Sequence, residues 1–221
     1  MMLTCRKDMG VNSTDDLKGK TLGVWFYGNE YPFLSWMSRL GLATDGSANG
    51  VTVLKQGWGV EPLTEGQAAC VSTMSYNEYW VVRDAGYTPE QLTVFKYQAE
   101  GASTLEDGLY VLEKNLDDDS FKDKMVRFVR ASMKGWKYAE ANPKEAASII
   151  LDNDDAGVQT EKHQIRMMGE IAKLTAGSNG SLDPSDYERT VKVLMSGASD
   201  PVITKEPSGA WTHDITNAAL N

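Results

Sequence analysis

Short apolar runs separated by polar connections make up the first hundred residues of the chain. Runs that are rich in β-branched and aromatic residues and are bounded by Gly, Asn or Asp are typical of buried strands. The predicted strands cover residues 1–6, 21–27, 50–55, 68–74 and 92–97. Segments with helical spacing and a glycine at the end lie between most of them. This alternation predicts a parallel sheet covered by helices.

The rest of the chain is predicted to be helical, except for one further strand. "LYVLEK", residues 109–114, has the composition of a strand. Beyond it, apolar residues recur every three or four positions, which is the spacing of a helix with one buried face. This apolar stripe consists of Phe121, Met125, Phe128, Val129, Met133 and Trp136. Pro143 ends that helix and begins the next, and two amphipathic helices and a short terminal helix follow.

The tripeptide Asn-Glu-Tyr occurs twice, each time at the end of a predicted strand, in "FYGNEYPF" and in "MSYNEYW". Ligands of open parallel sheets bind beyond the carboxyl ends of the strands. There, aromatic rings can stack on a flat solute and carboxylates can accept hydrogen bonds from its amino groups. The pattern predicts a site for a flat, uncharged or weakly cationic molecule, because two Glu residues would repel phosphate or sulfonate. The alternative is structural, since Asn and Glu also stabilise helix starts without a ligand.

The charge of the chain limits its partners. A net charge of −9 over 221 residues argues against nucleic acid as a partner, since neutralising phosphates requires a basic surface. It also disfavours an anionic membrane surface. No apolar run reaches the roughly 18 residues of a membrane span. The opening "MMLTCRKD" does not have the pattern of a signal peptide.

The sequence contains no recognisable catalytic or metal-binding motif. No nucleophile stands beside a base, no glycine-rich phosphate loop is present, and His163 and His213 have no paired ligand spacing. The sequence therefore predicts a binding protein and not an enzyme, with no catalytic residue, no metal and no cofactor. Cys5 and Cys70 lie in separate strand-like runs, and we expect two buried free thiols, with a disulfide as the alternative.

Five segments of the chain stand in a characteristic order: "DLKGKTLGVWFYGNEYPFLSWMSRLGL", "VTVLKQGWGVEPL", "CVSTMSYNEYW", "TLEDGLYVLEKNL" and "FVRASMKGWKYAEANPKEAASIIL". Together they resemble the NMT1/THI5-like family of substrate-binding proteins of ABC importers. The resemblance implies a type II periplasmic-binding-protein-like α/β fold, with two lobes around a ligand cleft. It assigns residues 14–100 to lobe two, with a parallel-type sheet, and residues 1–13 and 101–221 to a mostly helical, incomplete lobe one. A periplasmic location and a membrane permease as partner are also implied.

The resemblance also implies a set of ligand contacts and a class of solute. By position, the contacts are Trp25, Tyr27, Asn29, Glu30, Met74, Tyr76, Asn77 and Glu78, with Glu106 and Asp107 near the hinge. The implied solute is a small nitrogen heterocycle, first a thiamin pyrimidine precursor, and alternatively a flavin-like aromatic solute or a sulfonate. The family also contains yeast-type synthases of the thiamin pyrimidine, which carry a cysteine-rich iron motif. In this sequence Cys70 is the only cysteine in that region, so the cysteine-rich motif is not present. The synthase is therefore the alternative function and not the first.

About the first third of the family pattern has no counterpart in this sequence. That segment would pair with residues 1–8 and with the strand at 109–114, and would cover the apolar stripe. We therefore expect open strand edges and uncovered apolar surface, and a dimer or higher oligomer that buries them. A fragment that binds no solute is a further possibility.

Overall fold

The computed structural model of the chain describes residues 1–196 and 201–220. Its first compact unit is made of Met1–Leu105 and Ser185–Glu206. The strands of this unit are β1 Met2–Arg6, β2 Thr21–Val24, β3 Thr52–Lys55, β4 Cys70–Thr73 and β5 Leu92–Lys96. They form one sheet in the order β3-β2-β4-β1-β5. The five strands predicted for this part of the chain are confirmed, with most of their ends trimmed by one to three residues.

The sheet is mainly parallel, as predicted, with one exception. β2 lies between β3 and β4 and is parallel to both. β1 lies between β4 and β5 and is antiparallel to both, so four strands run one way and β1 runs the other. The expected open edge at residues 1–8 is therefore wrong, because β1 is an interior strand with hydrogen-bonded neighbours on both sides.

The helices follow the predicted order. Within the described residues they are α1 Glu30–Arg39, α2 Glu61–Thr64, α3 Glu78–Asp84, α4 Asp119–Ala141, α5 Pro143–Asp152, α6 Glu161–Thr175, α7 Pro184–Met195 and α8 Asp214–Leu220.

The strand predicted at 109–114 is wrong. Residues 109–112 form no ladder with any described strand, and a 3₁₀ turn follows at Glu113–Asp117. A segment with strand-like composition forms a strand only where another strand pairs with it. The side chain of Tyr110 in this segment is 86% exposed.

The sheet of the first unit has an apolar core on each face. On one face, Trp36 of α1 packs against Phe95 and Tyr97, with ring centroids 5.4 and 5.8 Å apart. On the other face, α2 and α3 bury Leu63 and Val82 against β4. The sheet is thus a buried middle layer, which holds the carboxyl ends of its strands at fixed positions.

The two cysteines form a disulfide, so the prediction of two free thiols is wrong. Cys5 and Cys70 are opposite one another in the antiparallel pairing of β1 with β4, and both are fully buried. They are 65 residues apart in the sequence. Their proximity follows from the pairing of an antiparallel strand that the sequence pattern does not indicate.

The second compact unit is made of Glu106–Pro184 and Pro207–Asn221 and is helical. In it α5 packs against α6 and α8 packs against α4. The guanidinium of Arg130 donates to the main-chain carbonyls of Ala218 and Ala219 and so ties α4 to α8. The apolar stripe of α4 is partly covered, because Val129 is buried whereas Phe128 and Trp136 are 52% and 46% exposed.

The two compact units do not coincide with the two predicted lobes, since residues 1–13 lie in the same unit as residues 14–100. The assignment to lobes stays a prediction. No helix among the described residues combines the length and the hydropathy that a membrane crossing requires.

Candidate functional site

The candidate site lies where β2, β3 and β4 end at one edge of the sheet. Val24, the last residue of β2, is in register with Lys55, the last residue of β3. β4 runs beside β2 in the same direction. The loops that follow β2, β4 and β3 therefore begin side by side; they are residues 25–29, 74–77 and 56–60, the first, second and third loop in this order. We refer to them together as the edge loops.

Trp25 and Tyr27 belong to the first edge loop. The main-chain N–H of Trp25 donates to Ser72 Oγ at 3.4 Å, and its indole Nε1–H donates to the carbonyl of Gly57 at 2.9 Å. Trp25 thus joins all three strand ends. Tyr27 has a left-handed backbone with φ of 64°, and its side chain is 91% exposed. A side-chain-bearing residue in this region is strained by about 1–3 kcal/mol, and such residues cluster at functional sites.

Asn29 and Glu30 close the first edge loop on itself. Glu30 Oε2 accepts the main-chain N–H of Gly28 at 2.8 Å, and the Asn29 amide donates to the carbonyl of Phe26 at 3.3 Å. Helix α1 begins at Glu30, where a carboxylate suits the positive end of the helix dipole. The local sequence therefore turns the chain sharply from β2 into α1.

The second edge loop repeats this arrangement with Glu78. Its Oε2 accepts the main-chain N–H of Met74 at 2.9 Å, and its Oε1 accepts the Asn77 amide at 2.8 Å. Partial burial raises the pKa of the Glu78 carboxyl, and the backbone hydrogen bond from Met74 opposes that rise. Tyr76 lies between these residues and is half-buried.

The two Glu residues therefore have a structural role, which was one of the two interpretations of the repeated tripeptide. Each carboxylate binds a main-chain N–H of its own loop and fixes the loop's shape. This role does not exclude a ligand contact, because a carboxylate has about four lone-pair sites and can accept further hydrogen bonds.

The third edge loop was missed by the sequence reasoning because it carries no Asn-Glu-Tyr. Gln56 is buried, and its side-chain amide binds both the main-chain N–H and the main-chain carbonyl of Ser72 in β4. Ser72 N–H donates to Gln56 Oε1 at 2.8 Å, and Gln56 Nε2 donates to the carbonyls of Ser72 at 3.0 Å and Gly59 at 3.1 Å. The signal was available in "KQGWG", since this segment follows a third predicted strand.

Lys55 and Trp58 add a cation and an aromatic ring to the edge loops. The ammonium of Lys55 lies 4.6 Å from the centroid of the Tyr27 ring and 3.3 Å from the Tyr27 hydroxyl oxygen. It is also 5.5 Å from the centroid of the Phe26 ring. Trp58 is 97% exposed. The edge loops and the residues that flank them thus bring together the carboxylates of Glu30 and Glu78, several aromatic rings and the ammonium group of Lys55.

Close approach of β2 to β4 requires Gly23. A Cβ at this position would lie 2.9 Å from Val71 Cγ1 and 3.3 Å from Gln56 Oε1. A larger residue would push β2 away from β4 and from the Gln56 side chain. The glycine therefore helps to set the spacing of the edge loops.

Eight of the predicted site residues lie on the first two edge loops or at the start of the helix that follows each of them: Trp25, Tyr27, Asn29, Glu30, Met74, Tyr76, Asn77 and Glu78. The other two, Glu106 and Asp107, belong to the second unit, in the exposed segment that precedes α4. The role of all ten in ligand binding stays a prediction. Among residues 1–196 and 201–220, no group of three or more His, Cys, Asp or Glu is arranged to hold a metal ion.

The sequence model of the NMT1/THI5-like family matches residues 1–146, about two thirds of the chain. The chain belongs to the NMT1/THI5-like family. The matched region includes all five strands and the three edge loops. A comparison with curated proteins found no significant match. Membership indicates a solute-binding or thiamin-pyrimidine-related role, since the family consists mostly of solute-binding proteins and also includes synthases. It is consistent with a periplasmic-binding-protein-like fold and with an extracellular or periplasmic location.

Proposed function

We propose that this NMT1/THI5-like protein is the solute-binding component of an ABC importer for a small nitrogen heterocycle, first of all a thiamin pyrimidine precursor. The observation that carries this proposal is the position of two similar loops, each with a carboxylate and tyrosines, at the carboxyl ends of adjacent parallel strands. Ligands of open α/β sheets bind at this edge.

The chemistry of the edge loops suits an aminopyrimidine. Trp25, Tyr27 and Tyr76 offer aromatic surfaces, and Glu30 and Glu78 offer acceptors for exocyclic amino groups. Glu78 is half-buried, and hydrogen bonds to a charged group are stronger where water is partly excluded. The loops are held by their own hydrogen bonds, so little conformational freedom would be lost on binding.

The disulfide supports a location outside the cytoplasm. Cys5 and Cys70 are linked at the centre of the sheet, and stable disulfides are typical of oxidising compartments such as the periplasm. This is the location of a protein that delivers a solute to a membrane permease. Transport would proceed by closure of two lobes over the solute, which shifts the population toward the form that the permease recognises.

The test is calorimetric titration of the purified protein with 4-amino-5-hydroxymethyl-2-methylpyrimidine, after native mass spectrometry has shown whether a solute is carried through purification. The double variant Glu30→Gln/Glu78→Gln should bind roughly ten- to hundredfold more weakly for each charged hydrogen bond lost. Glu65→Gln is the matched control, because this exposed carboxylate precedes β4 at the opposite edge of the sheet. Equal affinity of the double variant and the control would refute the assignment of the two carboxylates.

Two further measurements separate the alternatives from this proposal. Taurine should cause no thermal stabilisation, because the carboxylates of the edge loops would repel a sulfonate; a clear shift would favour the sulfonate binder. Iron and pyridoxal phosphate in the purified protein, measured by metal analysis and by absorbance, would favour the synthase.

A further inference from the structure

The indole of Trp58 is almost wholly in water, with 97% of its surface exposed. Tryptophan is highly buried on average, and leaving its ring in water forfeits a large hydrophobic gain. Trp36 of the same unit shows the ordinary situation, because it is 2% exposed and packs on two aromatic rings. The exposure of Trp58 therefore needs a reason.

The segment that carries Trp58 is held firmly at both sides. The buried side chain of Gln56 binds Ser72 and also the carbonyl of Gly59. The carbonyl of Gly57 accepts the indole N–H of Trp25 at 2.9 Å. Val60, two residues after Trp58, is buried in the core. Residues on either side of Trp58 are thus anchored, and the ring is presented to solvent by a fixed loop.

The fixed loop stands beside the predicted ligand contacts. Lys55 is in register with Val24, so residues 56–59 follow β3 where residues 25–28 follow β2. The Trp25–Gly57 hydrogen bond joins the two loops directly. Tyr27, the exposed ring of the neighbouring loop, has the Lys55 ammonium 4.6 Å from its centroid. That ammonium covers one face of the Tyr27 ring, so a flat solute could stack only on its other face or on another ring.

We propose that Trp58 is a ligand-binding residue that stacks on the ring of the solute and sets the preference of the site for flat aromatic compounds. This inference rests on the proposed function and adds a contact from the third edge loop. The Lys55 ammonium disfavours a cationic solute near Tyr27 and the carboxylates of Glu30 and Glu78 disfavour an anionic one, so the solute that stacks on Trp58 is a neutral heterocycle.

The test compares Trp58→Ala, Trp58→Leu and Trp58→Phe by calorimetry with 4-amino-5-hydroxymethyl-2-methylpyrimidine. Stacking of a base on an aromatic side chain is lost on alanine substitution with an effect of about five- to hundredfold in affinity. We expect Trp58→Ala and Trp58→Leu to bind about tenfold more weakly, and Trp58→Phe to stay within about threefold of the natural protein. Leucine keeps an apolar side chain without a ring, so its loss of affinity separates stacking from simple burial.

Two controls separate binding from folding. Trp211→Ala removes a partly exposed tryptophan of the second unit and should leave the affinity unchanged. The thermal unfolding midpoint of Trp58→Ala should match that of the natural protein, because an exposed ring contributes little to the core. Equal affinities of Trp58→Ala and the natural protein would overturn this inference alone. A natural protein that does not bind the pyrimidine at millimolar concentration would overturn the proposed solute and this inference together.

Discussion

The disulfide between Cys5 and Cys70 should contribute a large part of the stability of the first unit. It closes a loop over a sequence separation of 65 residues. In the chain-entropy treatment, a crosslink over a loop of this length stabilises the folded state by about 4 kcal/mol, chiefly by restricting the unfolded chain. Since whole domains are stable by only about 5–15 kcal/mol, reduction should shift urea unfolding to clearly lower concentrations.

The assay is urea unfolding followed by circular dichroism, with and without a reducing agent. The variant Cys5→Ala/Cys70→Ala is the control, because the reducing agent should not shift its transition. Alanine is preferable to serine here, since both positions are fully buried and a hydroxyl would need a hydrogen-bond partner. The argument is refuted if the unreduced protein in urea titrates with two free thiols and its transition does not respond to the reducing agent.

Three further predictions concern single residues of the first unit. Gly50→Ala should cost about 3 kcal/mol or more in thermal unfolding, because its Cβ would overlap the carbonyl oxygen of Ala43. Gln56→Ala should cost about 1–3 kcal/mol in urea unfolding for each main-chain group of Ser72 left buried and unpaired. Burial raises the pKa of Glu78 in the folded protein above its unfolded value of about 4.3. The protonated carboxyl therefore stabilises the folded state at low pH, and this stabilisation is lost as the pH rises from the unfolded pKa through the raised folded pKa. The free energy of unfolding of Glu78→Gln, measured as a function of pH, should not show this loss.

The glycine and glutamine predictions each have a matched comparison within the chain. Gly135 lies inside α4 and a Cβ there meets no neighbour, so Gly135→Ala should stabilise by about 0.5–1 kcal/mol. Gln67 is exposed and its amide binds only Glu65 among the described residues, so Gln67→Ala should be nearly neutral. Destabilisation by both glutamine variants alike, or a Glu78→Gln variant with the pH dependence of the natural protein, would contradict the reasoning.

Periodicity was sufficient to predict most elements of this fold, because each strand or helix carries its own local pattern. It failed at residues 109–114, where strand composition is present but no described strand pairs with it. It also could not reveal that β1 is an interior antiparallel strand, since pairing between residues far apart in sequence leaves no local signal. For the same reason the disulfide was only the alternative to two free thiols, because Cys5 and Cys70 meet only through that pairing.

The candidate site was predicted in the two loops that share the tripeptide and missed in the third. The repeated residues drew attention to β2 and β4, whereas the end of β3 carries a different sequence, "KQGWG". Parallel pairing of β3 with β2 nevertheless places Lys55 and Trp58 at the same edge. A prediction based on the order of parallel strands would have included them without any repeat.

The repeated Asn-Glu-Tyr segments show how a structural and a binding role can occur in the same residues. Each Glu accepts a main-chain N–H of its own loop, so its carboxylate is already oriented before any solute arrives. A carboxylate oriented by the protein loses less freedom on binding than a mobile side chain would, and this favours affinity. The same hydrogen bonds make each loop depend on its Glu. Substitution by Gln, which keeps an acceptor oxygen, therefore tests binding more cleanly than substitution by Ala, which would also release the loop.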